Sequence, residues 1–151
     1  MSEQLKKRNC TKELLEELYQ NVNSESNSLT QMISKVKGTE LSSELTSQIN
    51  GYGELIQRIQ AEFSATNTQT PENSALSKMT AKLGMEISTL TDSSDERIAQ
   101  LAIESATMGI TDNIRLVRDY ENSNCKESAL KLARNVVSFQ EQAVERTKSF
   151  L

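Results

Sequence analysis

The sequence contains no histidine and no tryptophan among its 151 residues. Histidine is the side chain that titrates nearest neutral pH, so its absence removes the general base of Ser-His-Asp and Cys-His catalytic sites. Glycine and proline are scarce as well, at five residues and one. A β-sandwich or a β-barrel needs many tight turns, and we therefore exclude an all-β fold.

Aromatic residues number only three Phe and three Tyr, so the core must consist mainly of Leu, Ile, Val, Met and Ala, which suits packed helices. The 21 acidic and 17 basic residues are spread along the chain, and no basic block predicts a nucleic-acid surface. No apolar run approaches the roughly 20 residues that span a bilayer, and the start MSEQLKKRNC lacks the apolar segment of a secretory signal. We expect a cytoplasmic protein that binds neither nucleic acid nor membrane.

The two cysteines, Cys10 and Cys125, lie far apart in the sequence and form no CxxC motif. Neither a zinc site nor a redox pair follows from that spacing. For a cytoplasmic chain we therefore expect two reduced thiols near helix starts.

Apolar residues recur every three or four positions in five stretches of the chain, which places them on one face of a helix in each. The predicted helices cover about 11–36, 39–65, 71–90, 94–120 and 126–151. The link between the first two is so short that they must run antiparallel. Ser93 followed by Glu96 has the form of a capping box and predicts the start of the fourth helix.

The four longer helices have similar lengths, about 26 residues or ~39 Å at the α-helical rise. The chain between the second and fourth helices is too long for a hairpin but suits a connection that runs the length of a bundle. The sequence therefore predicts an all-α, antiparallel four-helix bundle with an extra shorter helix in a long crossover connection. Residues 11–151 form this single domain, and residues 1–10 form a short N-terminal extension.

Two segments carry a family resemblance. The segment IESATMGITDNIRLVRDYEN and the ending FQEQAVERTKSFL resemble an uncharacterised bacterial ferritin-like family, and weaker similarity extends through GYGELI and AKLGMEI to most of the chain. The resemblance implies a ferritin-like bundle in a bacterial cytosol. It implies no activity by itself.

The resemblance also raises the question of metal. Di-iron members of the ferritin-like superfamily use a Glu from each of two helices and a Glu-x-x-His from each of the other two, and this chain has no histidine. Acidic side chains are the remaining inward ligands, and a carboxylate-only site for a divalent metal ion is one interpretation. Its candidate ligands are Glu25, Glu104, Asp112 and Glu141. The alternative is that Glu25 leaves the core at a bundle edge, or meets Arg115 or another polar partner in a buried layer.

Small and soft residues allow further interpretations. The three glycines within the helices permit close helix packing, a kink, or a pocket for a small apolar or anionic ligand: Gly51, Gly53 and Gly109. The methionines at helical spacing are interpreted as core filler rather than as a thioether site: Met79, Met85 and Met108.

The sequence thus supplies packing positions without a recognisable catalytic set. We expect a protein that is not an enzyme, needs no cofactor, and works by self-association, as in a homodimer, or by binding a protein partner. The exposed flank of the last helix is the expected contact surface. The alternative hypothesis is a bundle that binds a divalent metal ion through carboxylates alone.

Overall fold

A computed structural model describes residues 3–66, 84, 86–88 and 90–151, with side chains from residue 10 onward. The long helices are α1 (Glu3–Ile33), α2 (Thr39–Ala65), α3 (Asp95–Tyr120) and α4 (Glu127–Thr147), and a 3-10 turn over Lys148–Phe150 follows. No strand occurs in the described ranges, and the predicted all-α bundle is confirmed. Residues 84 and 86–88 are helical, and the rest of the helix predicted over 71–90 lies mostly outside the described residues.

The helices pack in an arrangement that requires a long crossover connection between α2 and α3. α1 packs on α2 and α3 packs on α4, while α1 also contacts α3 and α2 contacts α4. Asp95, the first residue of α3, accepts hydrogen bonds from the N–H groups of Lys37 and Gly38 at 2.8 and 2.7 Å, next to the start of α2. At the other end of α2, Glu62 accepts a hydrogen bond from Ser128 at 3.0 Å. The end of α2 and the start of α3 therefore lie at opposite ends of the bundle.

The first helix is longer than predicted. It begins at Glu3 rather than near Thr11, so the helix includes residues 3–10 of the predicted N-terminal extension. These residues contain no Gly or Pro that would stop a helix, and the apolar periodicity that marked the predicted start is a signal of packing rather than of helix formation.

The expectation of two reduced cysteines is wrong. Cys10 and Cys125 form a disulfide that joins α1 to the turn between α3 and α4, with Cα atoms 5.4 Å apart. Next to this disulfide, Thr11 Oγ1 accepts a hydrogen bond from the Lys126 N–H at 2.9 Å. Antiparallel packing of α1 on α3 brings these distant parts of the chain to the same end of the bundle. Cysteine spacing along the sequence does not report that proximity.

The core is apolar, as the helical periodicity predicted. Its largest fully buried side chains come from α1, α2 and α3: Tyr52, Phe63, Leu14, Leu15, Leu18, Leu29, Met32, Leu41, Leu45, Ile59, Ile98 and Leu101. Gly51 permits close packing of α2 on α4, because a Cβ atom there would collide with the ring of Phe139. Met108 is 46% exposed and is not core filler, while the side chains of Met79 and Met85 lie outside the described residues. No helix in the described ranges is both long and apolar enough to cross a membrane.

The start of α3 is capped by Ser94, not by Ser93. Ser94 Oγ accepts a hydrogen bond from the Arg97 N–H at 3.2 Å. Since loss of an N-cap hydroxyl typically costs about 1 kcal/mol, we expect Ser94→Ala to lower the free energy of unfolding by that amount in urea denaturation. Ser93→Ala is the matched control and should change it by less than about 0.5 kcal/mol. Equal losses in both variants would contradict this assignment of the cap.

Candidate functional site

Polar side chains from all four helices meet in the middle of the apolar core. They are Glu25 on α1, Tyr52 on α2, Ser105 and Asn113 on α3, and Gln140 on α4. Each is less than a tenth exposed. We call this group the buried polar centre. Because buried polar groups are costly without partners, their hydrogen bonds determine what the centre can do.

Glu25 is the only carboxylate of the centre. Its Oε2 atom accepts a hydrogen bond from Ser105 Oγ at 2.9 Å, while no hydrogen-bond partner for Oε1 lies in the described part of the chain. Burial raises the pKa of Glu25 to about 7, and the hydrogen bond from Ser105 offsets part of that effect. The carboxyl group therefore changes charge near neutral pH.

Three side-chain amides form a chain of hydrogen bonds across the bundle, which we call the amide relay. Asn21 Nδ2 donates to Asn113 Oδ1 at 2.9 Å, and Asn113 Nδ2 donates to Gln140 Oε1 at 3.0 Å. Asn21 is partly exposed, whereas Asn113 and Gln140 are fully buried. The buried end of the relay is Gln140 Nε2, which has no acceptor within the described residues.

Gly109 brings the relay and the carboxylate together. A Cβ atom at this position would lie 2.6 Å from Gln140 Nε2 and 3.7 Å from Glu25 Oε2, so the absence of a side chain allows both groups to approach α3. The ring of Tyr52 packs edge-on against Phe139, with ring centres 4.8 Å apart. Burial raises the pKa of the Tyr52 phenol most, and the nearby charge of Glu25 raises it further. The Gln140 side chain, which lies close to the phenol, offsets part of this increase.

The structure does not bring the four predicted metal ligands together. Glu25 is buried, but Glu104, Asp112 and Glu141 are exposed, and Glu104 lies 3.9 Å from Arg97 in a surface ion pair. No three Cys, Asp or Glu side chains among the described residues are close enough to hold a metal ion.

Each of the three exposed carboxylates is next in sequence to a residue that points inward. These neighbours are Ser105, Asn113 and Gln140. One residue along an α-helix is a rotation of about 100°, which is enough to move a side chain from the core to the surface. Arg115 is exposed, so the polar partner of Glu25 is Ser105. Sequence reasoning favoured charged residues and missed the neutral amides, whose only signal was their place on the buried face.

Comparison with known proteins supports the architecture. No protein-family model and no curated protein matches the chain. A dodecameric thioferritin, the bacterioferritin-related protein from Bacteroides fragilis, superposes with a TM-score of 0.68 and 12% identity over 93% of this chain and 84% of that chain. A ferritin-like, diiron-carboxylate protein from Bacillus anthracis strain Ames superposes with a TM-score of 0.66 and 16% identity over 99% of this chain and 98% of that one. The fold is therefore a ferritin-like helical bundle.

The ferritin-like fold implies a di-iron centre, and the residues of the buried polar centre do not fit one. Two iron ions bring at least four positive charges, which the fold normally balances with several inward carboxylates. Here Glu25 is the only carboxylate, and neutral groups occupy the neighbouring inward positions on the other three helices. Gln140 places its amide nitrogen, not its oxygen, against Gly109, and an amide NH₂ group is a hydrogen-bond donor that does not bind a metal ion.

Proposed function

We propose that this chain is a non-catalytic ferritin-like bundle that works by self-association, with α3 as the contact helix. The buried polar centre supports the first part of this proposal. It contains one carboxyl group among neutral amide and hydroxyl groups, and the Ser105 hydroxyl and the Glu25 carboxyl that it contacts are both buried away from a substrate in solution. The surface of α3 supports the second part.

The apolar surface that carries the proposal lies on α3. In the described part of the chain, three large apolar side chains are more than a third exposed: Met108 at 46%, Ile114 at 39% and Leu151 at 59%. Two of them belong to α3, and the third, Leu151, is the last residue of the segment predicted as the final helix. Ile114 lies on the side of α3 that faces away from the core, and other residues at helical spacing share that side with it. We define the α3 outer face as Ile103, Thr107, Ile110 and Ile114.

The occupant that fits this face is a second copy of the same chain. Ile103 and Ile114 are eleven residues apart, close to three helical turns, and so are Glu104 and Arg115. In a twofold pairing of antiparallel α3 helices, Ile103 of one copy meets Ile114 of the other. The same register brings Glu104 of one copy within two residues, about 3 Å along the helix axis, of Arg115 of the other, and both are exposed. Every contact is made twice, as an isologous interface requires. The Bacteroides fragilis protein, which shares the fold, is dodecameric.

Light scattering coupled to size exclusion tests this proposal. We expect the wild-type chain to have the mass of a dimer or a larger even assembly at about 100 μM, because weak interfaces of one helix pair associate in the micromolar range. Ile114→Glu places a charge at the proposed interface and should raise the dissociation constant at least about tenfold. Ser138→Glu adds the same charge on the exposed side of α4 and is the control.

A charge exchange identifies the register. Glu104→Arg should weaken association because it places like charges near each other across the interface, and the double variant Glu104→Arg/Arg115→Glu should restore it. A monomeric wild-type chain would overturn the proposal. Association that both Ile114→Glu and the charge exchange leave unchanged would move the interface away from α3.

A further inference from the structure

Three atoms of the buried polar centre have no hydrogen-bond partner within the described residues. They are Glu25 Oε1 on α1, the Tyr52 hydroxyl on α2 and Gln140 Nε2 on α4. The three residues are at most 5% exposed, so contact with bulk solvent does not satisfy these atoms. Folded proteins leave few buried polar groups without a partner, and three in one place indicate a bound molecule.

The three side chains approach one another from different helices. A Cβ atom at Gly109 would lie 2.6 Å from Gln140 Nε2 and 3.7 Å from Glu25 Oε2, so the amide and the carboxyl group lie beside the same point of α3. The Tyr52 phenol is close to both, because the charge of Glu25 and the side chain of Gln140 each affect its pKa. The three groups are therefore neighbours that do not hydrogen-bond to one another directly.

The hydrogen-bonding capacities of the three atoms match one water molecule. Gln140 Nε2 only donates, the ionised Glu25 carboxyl only accepts, and the Tyr52 hydroxyl can do either. A water oxygen can accept hydrogen bonds from Gln140 and Tyr52 while the water donates one to Glu25. Buried water molecules typically make about three such bonds to groups that would otherwise lack a partner.

A metal ion fits these atoms less well than water does. An amide nitrogen donates hydrogen bonds and does not bind a cation, and Gln140 Oε1 already accepts a hydrogen bond from Asn113 at 3.0 Å. Glu25 is the only carboxylate of the centre, and its Oε2 atom already accepts a hydrogen bond from Ser105 at 2.9 Å. A neutral molecule that both donates and accepts satisfies the set without additional charge.

We propose that the buried polar centre is a binding site for one water molecule, which hydrogen-bonds to Glu25, Tyr52 and Gln140. The water links α1, α2 and α4, and the hydrogen bond from Ser105 to Glu25 adds α3. In di-iron bundles, inward ligands from all four helices meet at the metal ions. In this chain, hydrogen bonds to water make the corresponding connection. The site lies in the core and does not depend on self-association.

A crystal structure of the intact chain and oxygen-17 relaxation dispersion of its solvent test the site. We expect one water oxygen within about 3.2 Å of Glu25 Oε1, the Tyr52 hydroxyl and Gln140 Nε2. In solution, the number of long-lived water molecules should fall by one in the double variant Glu25→Leu/Gln140→Leu, because its centre is largely apolar. The control is Gln48→Leu, which removes a buried amide that already donates to Thr147 Oγ1 at 2.9 Å and should leave that number unchanged.

Three results would overturn the proposal. Direct hydrogen bonds among Glu25, Tyr52 and Gln140, without electron density between them, would show that no molecule is bound. Density with the anomalous scattering of a metal would make the centre a metal site. Equal numbers of long-lived water molecules in the wild-type chain and in a double variant that circular dichroism shows to be folded would show that the centre holds none. The crystal structure requires no substitution, so it decides the question if the double variant does not fold.

Discussion

Reduction of the Cys10–Cys125 disulfide is expected to lower the free energy of unfolding by about 5 kcal/mol. The disulfide joins residues separated by 115 positions, so it removes much of the conformational entropy of the unfolded chain. Both cysteines are less than a tenth exposed and belong to the core, so their side chains keep their apolar contacts after reduction. The measurement is urea denaturation followed by circular dichroism, with and without reductant.

The control for this experiment is the double variant Cys10→Ser/Cys125→Ser. It should be less stable than the oxidised wild-type chain, and reductant should not change its midpoint. Wild-type midpoints that agree within error with and without reductant would contradict the expectation, provided that thiol titration confirms complete reduction.

The helices were predictable because their signals are local. Helix α2 ends at Ala65 in both the prediction and the structure. Its buried positions, which end at Phe63, each lie three or four residues from the next. The short link at Gly38 fixed the antiparallel start of the bundle. The crossover topology followed from chain length, because the chain between α2 and α3 is too long for a hairpin.

The candidate site was less predictable because it depends on rotation about a helix axis. A shift of one residue separates Glu104 from Ser105, and both positions fit an apolar stripe of finite width. Its charge favoured Glu104 over Ser105 as a candidate metal ligand. An exposed carboxylate, however, carries no desolvation penalty, whereas a buried one must be neutralised. The disulfide was missed for a related reason, since only the packed bundle shows that Cys10 and Cys125 are neighbours.

The stability of the bundle should depend on pH through Glu25. The folded pKa of about 7 lies above the ordinary value of 4.5, so the folded chain binds more protons than the unfolded chain between these values. Stability from this group is therefore complete below about pH 4.5, falls as the pH rises towards 7, and stays low above it. The full loss is about 3 kcal/mol, because each pKa unit corresponds to about 1.4 kcal/mol.

Glu25→Gln keeps the shape of the side chain and removes its charge. We therefore expect the variant to be more stable than the wild-type chain by about 3 kcal/mol at pH 8, with a smaller difference at pH 5, in urea denaturation at both pH values. Glu104→Gln removes an exposed charge and is the matched control, with a small effect at either pH. If the difference between Glu25→Gln and wild type were the same at pH 5 and pH 8, Glu25 would not be the group that changes charge, and its burial would have to be balanced by a permanent partner.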